Sequence, residues 1–213
     1  MTRRGLTLAE LLVWAVLSLL VLGIGATMLW QVFRTTARGT AIAQLGQTSG
    51  AAMNRIIAEF QRTSAKGITL AYELDYLGAK YNCAAIQPRQ SVDGQGRTTY
   101  ADARSLIFYT WTPGVTELRR REWPNAGPAG ITLSATDPAR LTNDQFRSLL
   151  ADAQGFELRI PDVTDFRVYS PDIDEPNVGS SLVVKLQMRK KVVPNRPEEV
   201  FGLERVIVLR NSL

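Results

Sequence analysis

The chain has 213 residues, of which 45% are hydrophobic and 21% are charged. This composition supplies one ordinary hydrophobic core and excludes a disordered tail and a multi-span membrane protein. Histidine is absent and cysteine occurs once, which excludes histidine base catalysis, a disulfide framework and a Cys-rich metal site. The net charge of +5 is spread along the chain and by itself indicates neither nucleic acid nor anionic lipid as a partner. We expect a protein that is not an enzyme and that binds no cofactor.

The first predicted element in chain order is a membrane-spanning helix. Leu11–Trp30 contains no charged residue, and a helix of about 20 apolar residues crosses the hydrocarbon core of a bilayer. Arg3 and Arg4 precede this run, and Arg34 and Arg38 follow it. A short basic tail before a first apolar segment usually stays in the cytoplasm, so we expect the bulk of the chain outside.

Three interpretations of this segment compete. A cleaved secretory signal would have an apolar core of about 7–15 residues. The present apolar run is longer, and it is not followed by the polar residues with which a mature secreted chain would begin. A plain signal anchor explains everything except Glu10, because a carboxylate at the head of a span is costly unless it lies at the interface or finds a partner. The third interpretation depends on the residues around Glu10.

Those residues follow a specific pattern. The stretch Arg3-Arg4-Gly5-Leu6-Thr7-Leu8-Ala9-Glu10-Leu11-Leu12 resembles the class III signal peptide of type IV prepilins and pseudopilins. In that family a basic leader ends in glycine, an apolar run follows, and glutamate is the fifth residue of the mature chain. The sequence departs from the family at Leu6, where phenylalanine is most common.

The resemblance implies a route of processing and assembly. Prepilin peptidase would cut between Gly5 and Leu6, and Leu6 would become the N-methylated terminus. The Glu10 carboxylate of one subunit would then meet the α-amino group of a neighbour, which lowers the cost of holding either charge in lipid. The expected partners are prepilin peptidase, inner-membrane lipid before assembly, and other major and minor pilins or pseudopilins.

Apolar residues continue beyond the span at the spacing of a helix face. Polar residues such as Asn54 and Glu59 are predicted to fall elsewhere, and one helix is predicted from Thr7 to Thr63, with core packing of its second half. The apolar set is Ile42, Leu45, Ala52, Met53, Ile56, Ile57 and Phe60. The expected organisation is a leader at 1–5, a transmembrane part at 6–30, an amphipathic part at 31–64 and a β-rich domain at 65–213.

From Lys66 onward the patterns indicate strands. Ser105–Trp111 and Val115–Trp123 flank Thr112-Pro113-Gly114 and predict a hairpin. Thr142-Asn143-Asp144-Gln145 predicts a capping box on a short helix. Gln87–Thr98 is predicted to be a loop, as are Pro124–Gly130 and Pro171–Ser181.

Four further strands are predicted towards the C-terminus. They are Phe156–Ile160, Val163–Ser170, Leu182–Val193 and Glu199–Asn211. The first two are separated by Pro161, and the last has apolar residues on both faces, which indicates a bulge or a buried segment. The expected fold class is α+β, with a long N-terminal α-helix packed on an antiparallel β-sheet as in type IV pilins.

The C-terminal half carries a second resemblance. Leu158–Tyr169 is similar to the strand region of J-type pseudopilins and W-type minor pilins. In those relatives a hydrophobic strand, a charged strand and a short apolar-basic tail close the domain, and Val206–Asn211 is similar to that form. The tryptophan often found after the first of these strands is missing. Within this family we expect a minor rather than a major subunit, because the chain is larger than most major pilins and its loops after Ala84 would be difficult to pack throughout a fibre.

Two weaker candidate sites accompany the filament hypothesis. Asp172, Asp174 and Glu175 offer clustered carboxylates for calcium, although a solvated acidic turn explains them more simply. Cys83 has no partner for an intrachain disulfide, and a buried thiol is favoured over an intermolecular bond.

Basic residues on two predicted strands are candidates for DNA contact. Arg119 and Arg121 face one way and Arg120 the other, so one continuous patch is not implied, and charged edge strands also prevent aggregation. The candidate residues are Arg119, Arg121, Arg189, Lys190 and Lys191.

The sequence thus predicts a minor type IV pilin or pseudopilin at or near a filament tip. It would prime assembly of a pilus for motility, adhesion or DNA uptake, or of a type II secretion pseudopilus. We expect a single pass in the bacterial inner membrane with the C-terminal domain in the periplasm, followed by a cell-surface or periplasmic filament. The alternative is a signal-anchored envelope enzyme or binding module unrelated to filaments.

Overall fold

A computed structural model describes residues 7–100, 106–123, 130–131, 133–138, 140–152, 157–171, 178–191 and 198–209. Within these residues the helices are α1 (Leu8–Phe60) and α2 (Asn143–Ala151), with a 3-10 turn at Ala65–Gly67. The strands are β1 (Ile68–Tyr76), β2 (Ala79–Ile86), β3 (Arg89–Val92), β4 (Thr98–Tyr100), β5 (Leu106–Trp111), β6 (Glu117–Trp123), β7 (Leu158–Pro161), β8 (Val163–Tyr169), β9 (Ser181–Lys190) and β10 (Glu199–Val208).

The chain forms two compact units, Met1–Gln44 and Leu45–Leu213. The described part of the first unit is helical from Leu8 onward, and its apolar side chains are largely exposed. The second unit contains the end of α1 together with all the strands that the structure describes. The predicted α+β class, with a long N-terminal helix and antiparallel sheets, is confirmed and is compatible with a pilin-like fold.

A five-stranded antiparallel sheet forms the centre of the second unit, in the order β1-β2-β5-β6-β7. Strands β1 and β2 are joined by Leu77-Gly78, whose φ angles of 49° and 77° are the positive values that a type I′ turn requires. Strands β5 and β6 pair from Leu106↔Trp123 to Thr110↔Arg119, which confirms the predicted hairpin. Every residue of β5 is buried, so both faces of this sheet are covered.

One face of the sheet packs against the second half of α1 and against the three-stranded sheet. Met53, Ile56 and Phe60 of α1 are almost completely buried there, beside Ile107 and Leu118. Complete burial of a side chain of this size contributes roughly 1.5–3 kcal/mol. The predicted core role of the α1 stripe is therefore confirmed for this part of the helix.

The other face of the sheet packs against α2. Phe108 lies with its ring centroid 6.1 Å from that of Phe146 and 5.9 Å from that of Trp123. The predicted capping box is present, because Thr142 Oγ1 accepts from Gln145 N and Gln145 Oε1 accepts from Thr142 N. This cap fixes the direction in which α2 leaves the preceding loop.

The remaining strands form a three-stranded sheet in the order β10-β9-β8. The alternation predicted for β9 is confirmed, since its apolar positions Leu182, Val184, Leu186 and Met188 are all buried. Strands β7 and β8 belong to different sheets, and the chain passes between them at Asp162, whose φ is 64°.

Two sequence expectations are corrected. The predicted loop Gln87–Thr98 contains β3 and the start of β4, which pair with each other. Strand β10 pairs with β9 in an unbroken register, and its two faces differ, because Val206 and Val208 are 66% and 75% exposed whereas Ile207 is 2% exposed and belongs to the core. The expected bulge in β10 is therefore wrong, and the expected burial holds only for the face that carries Ile207.

Candidate functional site

Glu10 forms a capping box at the start of α1. Its Oε2 accepts hydrogen bonds from Thr7 N at 2.8 Å and from Thr7 Oγ1 at 3.0 Å, and its own N donates to Thr7 Oγ1 at 3.3 Å. Thr7 and Glu10 thus occupy the N-cap and third positions that define this motif. Sequence reasoning applied the same pattern at Thr142 and overlooked it here, although Thr7-x-x-Glu10 carries the same signal.

The helix that follows is long and apolar enough to cross a membrane once. It contains an 18-residue window that meets this criterion of length and composition, and none of that window is buried within the chain. A signal sequence or the core helix of a soluble protein satisfies the same test. At the end of the apolar run, the Arg34 guanidinium lies 5.0 Å from the Trp30 ring centroid, a pairing suited to a membrane interface.

Gly5 and Leu6, the predicted cleavage and N-methylation positions, lie outside the described residues. Asp172, Asp174 and Glu175 do so as well. Within the part of the chain that the structure describes, no group of three or more Cys, Asp or Glu side chains is placed to hold a metal ion. The cleavage and calcium hypotheses therefore stay predictions.

A charged cluster that the sequence did not indicate joins α1 to the sheet. Glu59 of α1 and Arg120 of β6 are only 5% and 4% exposed. Arg120 donates to Glu59 Oε1 through Nε at 2.9 Å and through Nη2 at 2.8 Å, and Tyr109 OH donates to Glu59 Oε2. The sequence expectation that Glu59 falls off the apolar stripe is wrong, and its spacing of three residues from buried Ile56 is the signal that places it there.

The Arg120 guanidinium also reaches two further carboxylates. Its Nη2 donates to Glu122 Oε2 at 2.7 Å and its Nη1 donates to Glu157 Oε2 at 3.2 Å. Burial lowers the pKa of Arg120, but the hydrogen bonds with Glu59 and Glu122 outweigh it and raise the pKa above its usual value. Burial and the Glu59 charge raise the pKa of Tyr109 well above its usual range. The cluster therefore combines a charged guanidinium with a neutral phenol, and the contacts of both with Glu59 fasten α1 to the sheet.

Four of the five basic candidates for DNA contact lie on two different sheets, and the fifth follows a strand. Arg119 and Arg121 are on β6, whereas Arg189 and Lys190 are on β9 and Lys191 follows it. Arg119 pairs with Glu117 at 3.5 Å, Arg121 with Asp152 at 2.8 Å, and Arg189 with Glu198 at 3.3 Å.

These ion pairs neutralise part of the positive charge that a phosphate contact would use. Buried Arg120 faces away from Arg119 and Arg121, as the alternation predicted. DNA binding stays a prediction.

Cys83 is a free, buried thiol on β2. Its Sγ lies 3.5 Å from Thr110 Oγ1, to which it donates. Burial raises its pKa to about 12. The preference for a buried thiol over an intermolecular disulfide therefore agrees with the structure.

Comparison with known proteins identifies no matching family model and no significantly similar curated protein or solved structure. The functional argument consequently depends on the residues of this chain and on its fold.

Proposed function

We propose that the chain is a minor type IV pilin or pseudopilin, a membrane-anchored structural subunit that joins a filament. The observation that carries the proposal is the division of α1. Its first part exposes apolar side chains along its length, and its last turns are buried on an antiparallel sheet. Such a helix supplies an anchor for lipid or for a filament core, and the sheet supplies a folded head.

The N-terminal residues support the same proposal. Gly5, Leu6 and Glu10 stand in the order expected of a prepilin, with a basic leader before them and the apolar run after them. Processing after Gly5 would create a charged amine close to Glu10. An amine and a carboxylate on neighbouring subunits stabilise each other in lipid, where either one alone is costly. Cleavage would thereby control entry into the filament.

The first test is the intact mass and N-terminal sequence of the protein isolated from its native cells. We expect a chain that begins at N-methylated Leu6. A chain that retains Met1, or one that begins beyond Ala26, would overturn the proposal and favour the signal-anchored alternative.

The capping box allows a sharper test of how Glu10 acts. Glutamine at the third helical position preserves a capping box but carries no charge, so Glu10→Gln separates the cap from the ion pair. We expect Glu10→Gln to be processed normally and to be lost from sheared filaments. Thr7→Ala is the matched variant, because it removes the N-cap hydroxyl and keeps the charge, and it should still enter filaments.

The opposite pattern would contradict the assembly role. If Glu10→Gln assembles normally while Thr7→Ala does not, Glu10 serves the helix cap alone.

The choice between filament systems is tested separately by deletion. Loss of twitching and transformation indicates a pilus, and loss of exoprotein secretion indicates a type II secretion pseudopilus.

A further inference from the structure

A groove of about 670 Å³ lies in the second unit, bordered by β1, β2, the end of β5, β8 and β9. Its volume is within the range of about 300–1,000 Å³ that is typical of ligand sites. None of the residues proposed above for anchoring or assembly lines it. The groove is therefore separate from the residues on which the proposed function depends.

The inner surface of the groove is aromatic, and the side-chain N–H groups of Trp111 and Asn82 in it are hydrogen-bonded. Tyr72, Trp111 and Tyr169 contribute rings to its lining. Trp111 is 6% exposed, and its Nε1 donates to Val163 O at 3.4 Å. Asn82 is also buried, and its Nδ2 donates to Phe166 O at 3.0 Å. A rigid surface of this kind suits a ligand that has an apolar face.

An irregular backbone directs Glu73 to this groove. The β1–β2 register shifts between Ala71 and Leu74, and Glu73 within this bulge has a φ of 45°. Its backbone N donates to Asn82 Oδ1 at 3.3 Å, so the same asparagine holds the bulge and the neighbouring β8. Bulges and positive φ values in non-glycine residues concentrate at functional sites, where they redirect a side chain.

Basic side chains outnumber acidic ones around the groove, and one of the basic side chains forms no ion pair with the described residues. Lys80 pairs with Glu73 at 2.8 Å, and Arg167 lies 3.6 Å from Asp165. Lys185 also lines the groove and makes no side-chain hydrogen bond or ion pair with any residue that the structure describes.

On the sheet, the backbone position of Lys185 is opposite Arg167 of β8 on one side and opposite Glu204 of β10 on the other. Two cations opposite each other repel. An anionic group between Arg167 and Lys185 would relieve this repulsion.

The edge of β8 is closed to a peptide strand. Its carbonyl groups at Val163 and Phe166 already accept hydrogen bonds from the Trp111 and Asn82 side chains. Strand addition requires a free row of backbone groups. An acidic peptide would thus have to bind here without the backbone pairing that usually supplies its affinity.

We propose that this groove binds a short segment of an acidic saccharide. A sugar carboxylate lies between Arg167 and Lys185, and the apolar face of the sugar ring packs on Tyr169. Hydroxyl groups of the sugar donate to the carboxylates of Glu73 and Asp165. A simple inorganic anion would use the two cations and would be repelled by the two carboxylates, so it matches only part of the lining.

The test is titration calorimetry on the full chain in detergent, with trigalacturonic acid and its methyl ester as probes. The ester keeps the rings and hydroxyls and removes the charge. We expect the acid to bind about tenfold or more tightly than the ester, because a charge-assisted contact is lost. Absence of binding by the acid, or equal binding of the two probes, would overturn the proposal.

A pair of variants, one on β9 and one just beyond its end, locates the contact. Lys185→Gln should weaken trigalacturonate binding about tenfold, and Lys191→Gln, an equal loss of charge at an exposed position beyond the groove, should leave it unchanged. Equal weakening in both variants would show nonspecific attraction and overturn the site. Tighter binding of a hexaglutamate peptide than of trigalacturonate would overturn the saccharide assignment. Both positions are exposed, so both variants are expected to fold.

Discussion

The two parts of α1 share one backbone conformation and have opposite surroundings. Leu20 and Leu22 in the first unit are 56% and 69% exposed, whereas Met53 and Ile56 in the second are 1% and 0% exposed. The second part is stabilised by this chain's own core. The first part presents apolar surface of a size that soluble monomers rarely leave in water, and it is long and apolar enough to cross a membrane. Substitutions in the two units are therefore expected to have different consequences.

The largest expected effect concerns the charged cluster in the second unit. Arg120→Met leaves buried Glu59 with only the half-exposed Arg55 at 3.8 Å as a cation, and should lower the free energy of unfolding by about 3 kcal/mol. The measurement is denaturant unfolding of the full chain in detergent. Arg119→Met on the same strand removes a half-exposed ion pair and should cost less than about 1 kcal/mol.

A double substitution distinguishes loss of pairing from loss of packing. In Glu59→Gln with Arg120→Met, the buried charge is gone and the amide oxygen still accepts from Tyr109 OH. We expect this double variant to be more stable than Arg120→Met alone. Equal or lower stability would contradict the pairing argument.

Matched truncations in the two parts of α1 test the contrast directly. Ile56→Ala creates a cavity against the sheet and should cost about 2–5 kcal/mol. Ile24→Ala removes the same atoms from a side chain that is 49% exposed, and should leave unfolding of the second unit unchanged within about 0.5 kcal/mol. Similar losses for both variants would show that the first part of α1 also contributes to this core.

A substitution at the junction between α1 and β1 should lower the free energy of unfolding nearly as much as a substitution in the core. A Cβ on Gly67 would lie 2.2 Å from Thr63 Oγ1 and 2.8 Å from Gln87 O, two atoms that are hydrogen-bonded to each other. Gly67→Ala should therefore cost about 1–3 kcal/mol through local overpacking. Gly94→Ala is the control, since its Cβ would meet nothing within 4 Å. An unchanged thermal midpoint for Gly67→Ala would refute the close contact.

The smallest expected effect compares the two capping boxes. Thr142→Ala removes the cap of α2 and should lower the stability of the second unit by about 1 kcal/mol. Thr7→Ala removes the corresponding cap of α1 in the first unit and should not change that transition. The thermal midpoint, followed by near-ultraviolet circular dichroism, measures both, and an equal decrease would argue against independent units.

Elements fixed by local patterns could be predicted from the sequence. The long helix, the β5–β6 hairpin, the α2 cap and the β9 alternation each depend on residues close together in the chain. The short strands β3 and β4 were missed, because their segment is rich in polar residues and pairs only through a turn at Asp93–Arg97. The assignment of β7 and β8 to different sheets depends on tertiary pairing that no periodicity encodes.

The candidate sites also divide into those formed by neighbouring residues in the sequence and those formed by residues that are far apart in it. The Glu10 motif is contiguous and visible in the sequence, whereas the Glu59–Arg120–Tyr109 cluster joins residues 50 and 61 positions apart. The groove collects residues from β1, β2, β5, β8 and β9. Its lining is defined by how two sheets meet, so a pass along the chain could not have assembled it.

Burial of the Cys83 thiol makes the chain a convenient host for chemical probes. Because burial raises the pKa of this thiol to about 12, the thiol stays protonated at neutral pH, and the thiolate is the species that reagents attack. Cys83 is the single cysteine of the sequence. A cysteine introduced at Leu77, which is 86% exposed at the tip of the β1–β2 turn, would consequently take up a maleimide dye or a cross-linker selectively. Distances between neighbouring molecules could then be measured without first replacing the native thiol.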